Sequence, residues 1–471
     1  MKFYKFEKLY IGGQWTEATE SRFLEVENPA TGHIIGRVPR GGEEDVDAAV
    51  RAAKNAFSLW SQMTLEQRVE KMKRVYAYLA DREAQLIEIE IAELGAPLKW
   101  TKRAQVGGPL ARFKDYIERI QTFEFEEDLP QARIVKEPVG VVGCLTPWNY
   151  PINQVIQKIV PAILAGNTVV LKPSQMTPIS AFVLAEAFEA AEVPGGVFNL
   201  VSGRGAEVGN ALAKHEWVDM ISFTGSTEGG KQVGRLALGT VKKLALELGG
   251  KSANILLEGA DYDLALSEGL KSCFYNTGQT CSAWTRMLVP KQDLKAIEEK
   301  LVKMAAEFKV GDPTLEETDI GPLASQKQFD KVRGYIQEGV ESGARLIYGE
   351  VPEKKSDGYF VKPCIFSDVD NRMTIAQEEI FGPVLCVIPY ESVEDAVRLA
   401  NDSMYGLSGA VFGPEEEAVR VARAIRTGNV YVNDGKRDIG APFGGYKQSG
   451  IGREGGTYGI EEYLEVKAIY K

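Results

Sequence analysis

Histidine is nearly absent. Only His33 and His215 occur, so any imidazole-driven nucleophile would have to use one of them. His33 lies in the turn-rich stretch NPATGH, and His215 closes a helix-like segment where a cation suits the dipole; both read as structural. Cysteine is sparse too. The five, Cys144, Cys273, Cys281, Cys364 and Cys386, form no CxxC pair, which excludes structural zinc and thioredoxin-like motifs. An odd, scattered set points to reduced thiols in a reducing compartment and to no metal site. No apolar run is long enough to cross a bilayer. The first ten residues alternate aromatics with Lys and Glu, unlike a secretory signal, so a cytoplasmic protein is expected. Basic residues are in deficit, 55 against 66 acidic, for a net charge of −11. That disfavours nucleic acid and anionic membranes as partners. Internal repeats, heptads and low-complexity segments are also lacking.

What is present is an ordinary globular composition, 44% hydrophobic and 26% charged over 471 residues, enough for two or three domains. Residues 43–62 carry an apolar stripe at helical spacing (Val46, Val50, Ala53, Phe57, Trp60). Thr64 and Gln67 then make a capping box for the next helix. From 139 to 248, apolar runs at 139–145, 168–171, 197–201, 220–223 and 244–248 alternate with helical patterns at 152–164, 179–191, 206–214 and 226–237. Continuous apolar strands between helices mean a parallel sheet covered on both faces, and five in this order suggest a doubly wound nucleotide-binding domain. The alternation recurs more loosely across 252–432, with strands expected at 255–257, 287–289, 384–388, 410–412 and 429–432. The fold class is therefore α/β: a doubly wound parallel-sheet domain and a second α/β domain, with the stretch near 118–138 and the tail 457–471 fitting neither sheet and suited to a projecting arm, which suggests an oligomer.

Several short patterns sit where chemistry is done. Gly203, Gly205 and Gly209 make GxGxxxG between a strand and a helix, one residue off the usual dinucleotide fingerprint. The next strand ends in FTGST, putting Gly225 and Ser226 at a second helix start able to hold phosphate. These two turns are expected at the ends of neighbouring strands. Lys172 closes the strand 168–171 and could reach ribose or phosphate, or be a solvated strand end. In NTGQTC, the helix near 261–275 should stop at 276–278. That leaves Cys281 on a loop between polar Thr280 and Ser282, a better nucleophile position than helical Cys273. Glu247, in LELGGK, ends the fifth strand beside two glycines. It could be a general base, cap a helix, or pair with Lys251. Asn149, in TPWNYP, could cap the following helix or stabilise an oxyanion.

FTGST, ELGGK, GQTC, EEIFGPV and PFGGYKQSG, in this order and spacing, resemble the aldehyde dehydrogenase superfamily across essentially the whole chain. The resemblance implies a cofactor domain (1–117 and 139–247), a catalytic domain (248–436) and a β-rich oligomerisation arm and tail (118–138 and 437–471) in a homodimer or homotetramer, and it implies roles. Cys281 matches the nucleophile, Glu247 the base that activates water, and Asn149 the amide that binds the oxyanion with the Cys281 N–H. Glu454, in GRE, matches a second carboxylate proposed to assist proton transfer. On the cofactor side it points to Trp148, Lys172, Gln175, Phe223, Gly225, Ser226, Glu379 and Phe381, with Gly205 and Gly209 added from the glycine pattern. On the substrate side it points to Tyr150, Gln154, Gln157 and Phe443. The expected cofactor is NAD, with NADP possible because Gln175 replaces the Glu of many NAD-dependent members. Gly229 stands where a larger apolar residue is common. Gln154 and Gln157 replace apolar tunnel residues, so short or polar aldehydes are expected. The rivals are a coenzyme A-acylating relative, which usually lacks the base; a cofactor-free cysteine esterase; and a catalytically dead binding protein on this fold.

Overall fold

The structure, a computed structural model, describes residues 2–353 and 358–471. Its first large sheet contains five parallel strands: β1 (Val141–Leu145), β2 (Thr168–Lys172), β3 (Phe198–Leu200), β4 (Met220–Thr224) and β5 (Lys243–Glu247). All but parts of β4 and β5 are fully buried, as continuous Val, Ile and Leu runs demand. Helices cover both faces. They include α1 (Pro151–Leu164) and α2 (Ile179–Ala190) from the first half, and α3 (Thr227–Ala237) from the second. The spatial order of the five is 5-4-1-2-3. The chain winds outward from β1 through β3, then returns to the other side of β1. The switch point thus falls between β1 and β4, and ligands of such sheets bind beyond the carboxyl ends at that point.

This order corrects one expectation. The turn after β3, with Gly205 and Gly209, and the turn after β4, with Gly225 and Ser226, follow each other in sequence but are not neighbours in space. Strands β1 and β2 lie between them. A Cβ on Gly205 would meet only open space, and the segment Gly205–Gly209 is a single wide π-type turn leading into a five-residue helix.

A second sheet holds six parallel strands, β6 (Ala253–Leu256), β7 (Arg286–Pro290), β8 (Cys364–Ser367), β9 (Val384–Tyr390), β10 (Ser408–Phe412) and β11 (Asn429–Val432). The strand Arg345–Tyr348 pairs antiparallel at its edge. A three-stranded antiparallel sheet of Glu126–Leu129, Ala132–Pro138 and Leu464–Tyr470 forms the arm. It leaves Val466, Ile469 and Tyr470 exposed. The tail is not wholly arm: Gly450–Ile451 pairs antiparallel with β5 at the edge of the first sheet.

Two buried carboxylates set where α1 and α2 begin. On the helix Glu83–Leu94, Glu90 accepts the Ile152 N–H at 3.2 Å and Glu93 accepts the Ile179 N–H at 2.8 Å. Both helix starts are otherwise uncapped by side chains, so these two bonds satisfy N–H groups that the helices leave free. The α1 start matters because Asn149 and Tyr150 immediately precede it.

Candidate active site

The helix α4 (Tyr262–Phe274) is capped by Asp261 and ends seven residues before the nucleophile candidate, Cys281. Asn276, Thr277 and Gly278 then take φ of +54°, +57° and +70°. Three successive left-handed residues are costly except at glycine, so something must hold them. Asn276 and Gln105 both donate to the Asn149 carbonyl, at 2.9 and 3.1 Å, and the Thr277 hydroxyl donates to Gly321 O at 3.0 Å. The turn delivers Cys281 to the open end between the two large sheets, just before β7. Cys273, by contrast, is fully buried in α4.

Cys281 lines two cavities at once. One is the crevice at the switch point, about 160 Å³, walled by Trp148, Asn149, Gly225, Ser226, Glu379 and Phe381 among others. The other, about 330 Å³, is lined on its far side by Tyr150, Gln154, Gln157 and Phe443, together with Trp100 and Arg112. The thiol is pushed up to about 12, by burial first and then by the charges of Glu379 and Glu247, so it rests as a thiol and needs a base to react.

Asn149 does not cap α1. Its Nδ2 donates to the Gln279 carbonyl at 2.9 Å, which ties the amide to the Cys281 loop. That side chain has a second hydrogen, and neither it nor the Cys281 N–H has a partner among the described residues. Two unspent donors beside a thiol are what a developing alkoxide requires.

Glu247 is buried at the end of β5, and neither of its oxygens has a hydrogen-bond partner. It does not pair with Lys251, whose ammonium is also buried without a partner. Burial, then the charge of Glu454, holds the Glu247 carboxyl well above the usual range. Gly444 lies against it: a Cβ there would come within 2.7 Å of Oε1. The paired glycines of LELGGK also allow close approach. A Cβ on Gly249 would sit 2.6 Å from Glu379 Oε2, and one on Gly250 would collide with the Cys281 carbonyl.

Glu454 accepts from Lys158 Nζ at 2.6 Å and from Gln157 Nε2 at 2.7 Å, all three buried. Lys158 also reaches Ser222, which meets the Tyr463 hydroxyl at 3.0 Å. This corrects the reading of the two glutamines. Gln157 spends its amide on Glu454 and accepts from Asn153 at 3.2 Å. Gln154 alone keeps a buried, unpartnered oxygen in the larger cavity.

On the crevice side, Glu379 accepts the Gly250 N–H at 3.1 Å. Phe381 sits at φ +62° with its carbonyl held by Gln328 at 2.7 Å, and its ring meets Trp148 edge-on at 5.3 Å. Ser226 caps α3 through Gly229 N–H at 3.1 Å, and the Phe223 ring lies over Gly225 and Gly229. Lys172, at the end of β2, is buried, and its ammonium has no hydrogen-bond or ion-pair partner among the described residues. Burial brings its ammonium down to about 8. Gln175 is exposed nearby in sequence. Lys172, Gln175, Phe223, Gly205 and Gly209 lie outside the crevice lining itself. Both histidines lie away from the two cavities: His33 is exposed, and His215 follows the helix Asn210–Lys214 beside Asp47 at 3.3 Å. Among the described residues no acidic, histidine and cysteine cluster could hold a metal, and no helix is long and apolar enough to cross a membrane.

The switch-point crevice of the first sheet thus shares one wall, at Cys281, with the second cavity. The sequence model of the aldehyde dehydrogenase family matches residues 15–469, and the chain belongs to that family. It is 48% identical over 468 residues to a 3-succinoylsemialdehyde-pyridine dehydrogenase of Pseudomonas sp., covering 98% of each chain. A mutant aldehyde dehydrogenase C of Pseudomonas syringae, solved with NAD+ and octanal, superposes with a TM-score of 0.97 at 43% identity, over 98% of this chain and 96% of that one. The NAD+ complex of a Mycobacterium tuberculosis aldehyde dehydrogenase gives 0.97 at 41% identity, over 100% and 99%.

Residues that no motif had flagged also build the site. Arg112 shares a helical face with Pro109 and Tyr116, both buried, so a charged residue in an apolar stripe was the available signal. Gln105, Asn276 and Gln279 form the scaffold under Asn149. Nothing local in the sequence marks them.

Proposed function

We propose that this protein oxidises an aldehyde to a carboxylic acid with NAD as cofactor, using Cys281 as nucleophile, Asn149 and the Cys281 N–H as oxyanion donors, and Glu247 as base. The position of Cys281 on the wall between the two cavities is the observation that carries this reading. It lets one sulfur hold a substrate carbon from one side while a cofactor lies on the other.

The residues present suit a dinucleotide. Lys172 is a buried cation without a partner at a strand end. Ser226 and Gly225 open α3 at the switch point, where backbone N–H groups and the helix dipole favour phosphate. Glu379 lies in the crevice with Oε2 free to accept from a ribose hydroxyl. Bound there, the nicotinamide would supply the acceptor for the two electrons and the hydrogen leaving the substrate carbon. Gln175 lacks the charge that would repel a 2′-phosphate, so NADP should also serve.

The chain's own groups do the rest. The thiol proton passes to water as Cys281 Sγ bonds to the aldehyde carbon. Asn149 and the Cys281 N–H stabilise the alkoxide; one such donor is typically worth about 100–1,000-fold. After oxidation a thioester remains on Cys281. Glu247 takes a proton from water, the water oxygen attacks the acyl carbon, and the sulfur leaves to give the acid. The base argues for water over coenzyme A as acyl acceptor. The organisation into cofactor domain (1–117, 139–247), catalytic domain (248–436) and arm is part of this proposal. So is a homodimer or homotetramer, supported by the exposed apolar edge of the arm.

The test is reduced-cofactor absorbance at 340 nm over an aldehyde panel, with wild type and Cys281→Ala. The expected result is turnover in the first and none in the second, with NAD binding retained. Turnover by the variant would overturn the role of Cys281.

A further inference from the structure

We propose that the larger cavity selects aldehydes bearing a carboxylate at the end remote from the aldehyde, and that Arg112 binds that carboxylate. This rests on the reading of Cys281 above and narrows its substrate class. Arg112 projects from the helix Gly108–Ile120 and is only 9% exposed. Its Nε and Nη1 are shielded, and the guanidinium makes no hydrogen bond or ion pair among the described residues. An isolated buried charge is expensive unless something answers it. Among the described residues no carboxylate bonds to it directly. Three cations line the cavity, Arg112, Lys271 and Arg437, and no Asp or Glu does. Lys271 is spent on Glu268 at 2.8 Å. Arg437 stacks over Phe443 at 4.6 Å and has no carboxylate partner. Glu454 is committed to Lys158 and Gln157.

The cavity, about 330 Å³, therefore holds one buried guanidinium without a partner, Arg112, and is lined by a second, Arg437, that is exposed to solvent. A guanidinium presents a planar fork that matches a carboxylate in two bonds. Burial and then the like charge of Arg437 push the Arg112 pKa down, while Tyr116, Glu454 and Asp115 act against them without reversing the shift; a substrate anion bonded to the guanidinium would offset the cost of burial. The unpartnered Gln154 oxygen adds a cost for purely alkyl chains.

The experiment pairs isosteres. Turnover is compared for 5-oxopentanoate and its methyl ester, and binding by calorimetry for pentanoate and neutral pentanamide, in wild type, Arg112→Met, Arg112→Lys and Arg437→Gln. Expected for wild type is at least a tenfold preference for the anion in kcat/KM and in Kd, weakening with salt. Arg112→Met should collapse both ratios toward one, mainly through KM, and Arg112→Lys should restore part of them. Arg437→Gln should lower them less. A wild-type ratio at or below one overturns the proposal, as does an undiminished ratio in Arg112→Met. If no aldehyde is oxidised, the catalytic reading fails, and the calorimetric ratios still decide this one.

Discussion

Replacing Glu247 by Gln should separate the two halves of the reaction. The change is isosteric. Both carboxyl oxygens are buried and make no hydrogen bond, so no protein contact is lost, and a like charge beside Glu454 disappears. Thermal stability should therefore hold or rise slightly. The chemistry should not be spared. A positioned general base contributes roughly 100–10,000-fold, equivalent to about 2.7–5.5 kcal/mol, and hydrolysis of the thioester is the step with no other evident base. Stopped-flow absorbance at 340 nm should show a burst approaching one reduced cofactor per site, followed by a steady rate about 100–10,000 times slower than wild type. A steady rate within threefold of wild type would refute the assignment and turn attention to Glu454. Loss of the burst together with turnover would refute the division of labour, since Glu247 would then be needed chiefly to activate the thiol.

Four further outcomes follow from the same geometry. Glu454→Gln removes a charge that raises the Glu247 pKa and frees Lys158 to lower it. The acidic limb of the kcat profile should move to lower pH, with a stability loss of about 3 kcal/mol from breaking a buried pair; an unmoved limb would disconnect the two carboxylates. Cys273→Ala should leave turnover largely intact where Cys281→Ala abolishes it, because Cys273 packs inside α4; kinetics on the purified pair decide. Gln175→Glu should shift the ratio of specificity constants toward NAD over NADP by at least about tenfold, or 1.4 kcal/mol. An unchanged ratio would remove Gln175 from cofactor choice. Glu93 is raised from 4.5 to about 8 by burial. Its folded pKa exceeds its unfolded one, so its contribution to stability is complete below about pH 4.5 and is lost as pH rises through about 8. Glu93→Gln should flatten the fall of Tm over that window, measured by calorimetry.

The first sheet was readable because its strands are buried on both faces and need no alternation. Runs placed at 139–145 and 244–248 correspond to Val141–Leu145 and Lys243–Glu247. Strand order was not readable. Sequence neighbours after β3 and β4 are separated in space by two strands, because lateral pairing in a doubly wound sheet is set by the crossovers and not by the strands' own composition. The loop position of Cys281 followed from a helix stop at Gly278, a local signal. The left-handed turn at Asn276 and Thr277 did not, since neither residue type demands it and its supports come from Gln105, Asn149 and Gly321.

The two glutamines after TPWNYP mark where local reading ends. They sit three residues apart on α1, both reach the larger cavity, and from sequence they are equivalent amides. Gln157 finds Glu454 across 297 residues of chain, and the buried Lys158 beside it makes that carboxylate a charged, firmly held acceptor. Gln154 finds nothing for its oxygen. The amide is therefore spent on the protein at one position and left with an unpartnered oxygen in the cavity wall at the other. The difference lies in a tail residue brought in when Gly450–Ile451 adds to the edge of β5 and Glu454 bridges to Phe443. A polar residue in a cavity wall informs on substrate only after its long-range partners have been subtracted. Applied to the buried amides and cations of the lining, that subtraction removes Gln157 and leaves Gln154 and above all Arg112 as the groups still owed a partner.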